Sequence, residues 1–232
     1  MRLCLGRRLV CFVWGIAAVL FVGAVGCSED DPTPFEDVDV VGRDKNPEGV
    51  EYPSDDWGMR PRKGGVPGQR VPNFSFSGYP NSDLGGGLQV VSMADYYDPS
   101  RQHRKLMWLI AVAPYCPYCQ GETRAIVSES AALRDAGVEV VQLVITAVDY
   151  RRPLSLEDVE WWISKMGTDF TVLIDANARR LGSVMPLEGV PINIVVDVRS
   201  MEVLTVQEWA TFEPLEYVGR WVGWVGEHAA RE

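Results

Sequence analysis

Hydrophobic and polar residues divide the chain into three regimes. Residues 9–26 carry no charged side chain, and residues 28–70 are rich in Asp, Glu, Pro and Gly and poor in apolar residues. From residue 71 onward, short continuous apolar runs alternate with segments whose apolar residues recur at helical spacing. Residues 106–113 form an unbroken apolar run, as expected of a strand buried on both faces. Residues 117–136 read as a helix, with Pro117 at the favoured first position and Gly137 closing it. Residues 138–146 form a second buried strand. Ser155-Leu156-Glu157-Asp158 has the form of a capping box, with Asp where Glu or Gln is usual. It opens a helix in which Leu156, Val159, Trp162, Ile163 and Met166 share a face, and Gly167 ends that helix. Residues 170–174 make a third strand. Residues 192–197 and 202–207 flank a short polar turn, as in a hairpin. A last helix over 214–225 places Leu215, Val218, Val222 and Val225 on one side. The order is β-α-β-α-β, then β-β-α. Crossovers imply parallel neighbours and the hairpin implies antiparallel edge strands. The pattern predicts one α/β domain with a central mixed β-sheet and helices on both faces.

The first thirty residues have a separate logic. Arg2, Arg7 and Arg8 precede the apolar run, which is the layout of an export signal. The run ends in small residues before Cys27, and the polar Ser28-Glu29-Asp30-Asp31 follows at once. This junction resembles a bacterial lipobox, although Ala24 stands where Leu is commonest. The resemblance implies that Cys27 is lipidated and becomes the first mature residue. A retained anchor, at the short end of what spans a bilayer, and a plain cleaved signal are the alternatives. All three place the remaining chain outside the cytoplasm, in the cell envelope and on its periplasmic side. The expected organisation is a signal over 1–26, an acidic tether over 27–70 and a domain over 71–232. A segment with so little apolar surface cannot offset its chain entropy, so the tether is expected to be flexible. Tyr52 and Trp57 are the tether residues able to dock on the domain.

Composition narrows the function classes. The 232-residue chain is 47% hydrophobic and 23% charged, with a net charge of −10. These values exclude a mostly disordered chain and a polytopic membrane protein. The acidic balance argues against nucleic acid as a partner, because phosphate binding needs Lys and Arg. Loss of Arg2, Arg7 and Arg8 with the signal leaves 19 basic against 32 acidic residues, a net of −13. The five cysteines separate in the same way. Cys4 and Cys11 leave with the signal, and Cys27 is blocked by lipid. Cys116 and Cys119 are then the available thiols.

Cys116-Pro117-Tyr118-Cys119 carries the chemistry. Thiol–disulfide exchange needs a thiolate and a second thiol near enough to resolve the mixed disulfide. A C-x-x-C pair opening a helix supplies both: a thiol at the N-cap sits at the positive end of the helix dipole, which favours thiolate. Cys119, one turn further in, suits the resolving role. The strand over 106–113 leads straight into this site, at the carboxyl end of a strand where α/β sheets usually place function. Zinc is a poor alternative, since it wants four ligands and no second cysteine pair survives cleavage of the signal. A purely structural disulfide is also poor, because a two-residue loop constrains the unfolded chain little.

Residues 70–226 resemble the thioredoxin-like thiol–disulfide oxidoreductases, in the branch of membrane-anchored TlpA/ResA and redoxin proteins. Val71-Pro72-Asn73-Phe74 resembles that branch's opening, Gly189-Val190-Pro191 resembles its cis-proline loop, and Val196-Asp197 resembles the end of the following strand. The resemblance implies a thioredoxin-like fold with catalytic Cys116 and Cys119. It implies a cis Pro191 that, with Val190, presents backbone to an extended substrate. It also implies a Glu at position 122 that tunes the thiols. Tyr115 and Tyr118 flank the pair and are candidate substrate contacts, whereas Trp108, Trp161, Trp162, Trp221 and Trp224 read as packing residues. The implied clients are cysteine-containing exported proteins, served by a separate redox partner, and no cofactor or metal is expected.

The departures from the branch are specific. Pro114-Tyr115 replaces its aromatic-rich lead-in. Ile110 stands where thioredoxin has a buried Asp, so an assisting acid must come from elsewhere, and Glu122 is the candidate. Arg124 replaces a helix-kinking Pro, and Ile192-Asn193 replaces small hydroxyl residues. Two other functions remain to be weighed. A peroxide reductase of the AhpC/TSA type needs P-x-x-x-[ST]-x-x-C, but Leu109 and Ala113 occupy the Pro and Thr/Ser positions. A non-enzymatic binding or copper-chaperone lipoprotein would use C-x-x-x-C and a His, and neither is present near Cys116.

Overall fold

The computed structural model describes residues 32–54 and 63–229 of the chain. Seven strands form one sheet in the order β2-β1-β5-β4-β3-β6-β7. The strands are β1 (Ser75–Tyr79), β2 (Gln89–Ser92), β3 (Leu106–Val112), β4 (Val138–Val144), β5 (Thr171–Ile174), β6 (Ile192–Asp197) and β7 (Glu202–Gln207). Among the described residues, three α-helices accompany them: α1 (Pro117–Asp135), α2 (Leu156–Met166) and α3 (Pro214–Ala229). β3, β4 and β5 are parallel neighbours, and β6 and β7 continue the sheet antiparallel on the other side of β3. Among the described residues no helix is long and apolar enough to cross a membrane.

The faces of the sheet are covered unequally. The chain steps from β3 to β4 to β5 in one direction, so two right-handed crossovers place α1 and α2 on the same face. Leu106, Trp108, Ile110 and Val112 of β3 point to that face and pack with Ile126, Trp162 and Val218 from the three helices. Met107, Leu109 and Ala111 point to the opposite face. There the cover comes from the short 3-10 helices Met93–Tyr96, Ala176–Ala178 and Leu181–Ser183, which contribute Met93, Tyr96, Ala178 and Leu181. Every residue of β3 is buried, as its unbroken apolar run requires.

The local signals act as their chemistry dictates. Ser155 caps α2 through the Asp158 amide, and the Asp158 carboxylate accepts the Ser155 amide at 2.9 Å, so Asp serves in the box. Gly167 ends α2 at φ 66°, in the left-handed region. Two strands lack a matching sequence signal. β1 interleaves serines with aromatic residues and contains Gly78, opposite Leu173 of β5. A Cβ there would lie 2.5 Å from the Val172 carbonyl oxygen, so this pairing requires glycine.

The acidic segment is the largest departure from expectation, because residues 32–54 lie against the domain. The Phe35 amide donates to the Leu154 carbonyl at 2.6 Å, and the Phe35 ring packs on the helix-side core. Asp37 bonds the nearly buried Arg180 at 2.6 Å and Arg179 at 3.3 Å, and Asp39 bonds Arg179 at 2.7 Å. Asn46 and Tyr52 hydrogen-bond the carbonyls of Tyr97 and Val71. Here the acidic side chains hold a second layer of chain onto the domain. Trp57 and Cys27 lie outside the described residues. Asp37→Ala strands Arg180 against a more distant Asp175 carboxylate at 3.9 Å. A fully buried pair broken on one side costs about 3–5 kcal/mol; for this partly solvated pair we expect a loss of about 2 kcal/mol in denaturant unfolding. Faster proteolytic cleavage within residues 32–54 should accompany it, and unchanged stability and cleavage would show that Asp37 does not fasten the segment.

Candidate active site

β3 ends at Val112, and its continuation turns sharply into α1. The Cys116 amide closes the turn by donating to the Ala113 carbonyl at 2.9 Å. Pro117 occupies the first turn of α1, where a missing N–H costs nothing. Cys116 is therefore the N-cap, and its sulfur accepts the Cys119 amide N–H at 3.3 Å. Both thiols are free. Both are buried, but Cys116 keeps 7% of its surface exposed and Cys119 none, so Cys116 is the outer of the two.

The loop before β6 supplies the facing wall. The Val190–Pro191 peptide is cis, and the Val190 carbonyl lies 3.6 Å from the Cys116 sulfur, whose S–H donates to it. Cys116, Cys119, Val190 and Pro191 are thus brought together. Tyr115 and Tyr118 flank them, 45% and 66% exposed, and Tyr115 meets Tyr150 edge-on at 5.5 Å between centroids. A groove of about 330 Å³ runs beside Cys116, lined by Tyr115, Ile145, Thr146, Asn177, Leu187 and Val190. Thr146 lines this groove, and its hydroxyl is buried without a hydrogen-bond partner among the described residues. A larger cavity of about 570 Å³, bounded by Trp209, Phe212, Tyr217 and Arg220, has no thiol in its lining.

Glu122 sits one turn beyond Cys119 on the same face of α1 and is fully buried. Its Oε1 accepts the Thr211 amide at 2.7 Å and the Asn193 side-chain amide at 2.9 Å. Its Oε2 is buried without a hydrogen-bond partner among the described residues. Hydrogen bonds to a charged group contribute about 1.5–3 kcal/mol each, whereas desolvating a carboxylate costs several. Burial wins, and the Glu122 carboxyl is pushed up to about 7 despite both bonds. Burial likewise pushes the Cys119 thiol well above the ordinary range, and its hydrogen bond with Cys116 and the nearby Glu122 charge push the same way.

Three contributors went unrecognised in the sequence. Asn193 is a fully buried amide in an apolar strand, and burial of an amide demands partners. Its polarity is visible in the sequence, but its partners are not. Trp108 packs as expected and also donates from its indole Nε1 to the Asn193 Oδ1 at 2.8 Å. Thr211 acts through its backbone, from a loop that places Phe212 over Gly121 of α1.

The raised Glu122 carboxyl makes stability depend on pH. Below about 4.5 it is protonated in both folded and unfolded chains, and its neutral form is accommodated. Between about 4.5 and 7 the unfolded chain ionises first, so stability falls as pH rises, by about 3 kcal/mol at the limit. Glu122→Gln should remove this fall. Denaturant unfolding of the reduced protein across that window checks it, and parallel curves for the two proteins would contradict it.

A scan against protein-family models finds no match to the chain, and neither does a search of curated proteins. Solved structures do match. The thioredoxin domain of a thiol-disulfide oxidoreductase from Bacteroides vulgatus superposes with a TM-score of 0.51 at 19% identity, covering 68% of this chain and 98% of that one. AhpC from Enterococcus faecalis superposes with a TM-score of 0.52 at 15% identity, covering 72% and 96%. The mixed sheet, the helix opened by a C-x-x-C pair and these superpositions together establish that the chain has the thioredoxin-like α/β fold.

Proposed function

We propose that this protein is a thiol–disulfide oxidoreductase of the cell envelope, held to a membrane by lipid on Cys27, that acts on cysteines of exported proteins. One observation carries the reading: a marginally exposed thiol at a helix N-cap, facing the Val190 carbonyl, with a fully buried second thiol and a fully buried carboxyl further along the same helix. In the reducing direction the Cys116 thiolate attacks one sulfur of a client disulfide. The client S–S bond breaks, a mixed disulfide forms, and the first client thiolate leaves. The helix N-terminus and the Cys119 amide stabilise negative charge on the Cys116 sulfur. Cys119 then passes its proton to Glu122 and attacks the Cys116 sulfur. The mixed disulfide breaks, the Cys116–Cys119 bond forms, and the second client thiolate leaves. The client gains two electrons and the pair loses two, which a dithiol redox partner restores.

The surroundings support docking of an extended client segment. Val190 and Pro191 form one wall of the site, and Tyr115 and Tyr118 expose aromatic surface beside it. The AhpC superposition raises peroxide as a substrate, but fold does not choose among chemistries. Leu109 lies buried inside β3 and Ala113 is fully buried, so neither offers the hydroxyl or turn that a peroxide site of that type needs.

Cys119→Ser should accumulate a mixed disulfide through Cys116, visible as a reducible adduct on a non-reducing gel, and Cys116→Ser should abolish it. The wild type should catalyse reduction of insulin by a small dithiol. Absence of both the trapped adduct and the catalysis would overturn the assignment.

A further inference from the structure

Asn193 of β6 stands at the centre of a fully defined hydrogen-bond chain. The indole Nε1 of Trp108 can only donate, and it meets the Asn193 side chain at 2.8 Å, so the atom facing it must be Oδ1. The amide orientation is thereby determined, and Nδ2 must face the other way. Its two hydrogens are directed to Glu122 Oε1 at 2.9 Å and to the Trp209 carbonyl at 3.1 Å. The Thr211 amide reaches the same Oε1 at 2.7 Å. Both bonds to Glu122 therefore fall on one oxygen, and Oε2 is left buried and unpaired. Trp108, Asn193 and Glu122 are each fully buried, so water does not substitute for these contacts.

We propose that Asn193 is a positioning residue for proton transfer: held by Trp108, it anchors Oε1 of Glu122 so that Oε2 stays free to take the proton of Cys119. The proposal rests on the reading of Glu122 as the proton acceptor in the resolving step. The balance is that of the step above. The Cys119 S–H bond breaks and an O–H bond forms at Oε2. The Cys119 sulfur then bonds to Cys116 as the client sulfur departs with the electron pair. Asn193 exchanges no proton, and acts by supplying an N–H that favours the ionised carboxyl before transfer. The groups that face Glu122 from the elements packed on it are few. They are Cys119 on α1, Asn193 on β6, Thr211 and Trp209 in the loop after β7, and Tyr217 on α3, whose phenol is pushed up to about 12 chiefly by burial. Arg220 of α3 lies over the Tyr217 ring at 4.9 Å and acts on that phenol, but among the described residues no cation bonds Glu122, so loss of the Asn193 bond leaves the carboxylate with the Thr211 amide alone.

The test is the pH profile of the resolving step. Full-length protein with Cys116 held in a mixed disulfide with glutathione is followed for glutathione release from pH 5 to 9. Wild type should show an inflection near pH 7. Glu122→Gln should lose that inflection and slow release at least tenfold at pH 7.5. Asn193→Leu should keep an inflection but shift it upward by about one pH unit, with release slowed severalfold at pH 7.5, as expected when a carboxylate loses a donor. Should Asn193→Leu fail to fold, Asn193→Asp keeps the acceptor for Trp108, replaces the donor to Glu122 with an acceptor, and must shift the inflection the same way. An inflection unmoved in a folded Asn193 variant overturns the positioning role while leaving Glu122 as acceptor. Matching profiles for wild type and Glu122→Gln overturn the Glu122 reading itself.

Discussion

Burial of β3 on both faces is the constraint from which the rest of the structure follows. All seven of its residues are buried, and its side chains alternate between two cores. A strand so apolar has to lie in the interior of the sheet, with parallel β4 on one side and antiparallel β6 on the other. Its end point then determines where the chain turns into α1, and so where the Cys116 sulfur sits. The reactive thiol is placed by the most deeply buried segment of the fold. That suits a group whose distance to its partners decides whether it reacts.

The same interior contains polar groups that a purely apolar core would not tolerate. Asn193 of β6 and Gln142 of β4 are both in register with Ile110, one on either side of it. Gln142 is fully engaged with Thr123 and Trp162, and Asn193 with Trp108, Glu122 and Trp209. Ile110 itself carries no acid. The carboxyl near the thiols comes from α1 instead, approaches the sheet from the helix side, and is held by the amide beside Ile110. Such networks are costly unless every member is satisfied. Here one atom, Oε2 of Glu122, remains unsatisfied, on a residue one helical turn from the thiol that must lose a proton.

The N-terminal segment shows how one composition serves two physical states. Asp37 and Asp39 belong to a stretch whose acidity and lack of apolar residues describe a solvated chain. In the fold, Arg179 and Arg180 lie close to them and the charges pair. Phe35 adds apolar burial against the α2 side of the core. Arg179 and Arg180 follow Asn177 and Ala178 in the chain, and both of those residues line the groove beside Cys116. The segment thus braces the loop that shapes the groove.

Local chemistry was legible in the chain itself. The doubly buried β3, the N-cap position of Cys116, the Asp-containing capping box of α2, the Gly137 and Gly167 helix ends and the β6–β7 hairpin all rest on interactions within a few residues, or on apolar periods that repeat along the chain. The Glu122 position and the cis Val190–Pro191 bond were legible only through resemblance. What the tertiary structure decided is of another kind. Gly78 matters because Val172 crosses it, Asp37 because Arg180 lies opposite, and Asn193 because an indole and a carboxylate meet its two ends. Each depends on partners roughly 70 to 145 residues away in sequence, which no local pattern encodes. Short-range energetics determined the elements and the thiol pair, whereas the state of the buried carboxyl depends on a field and a desolvation that exist only once the chain has closed around it.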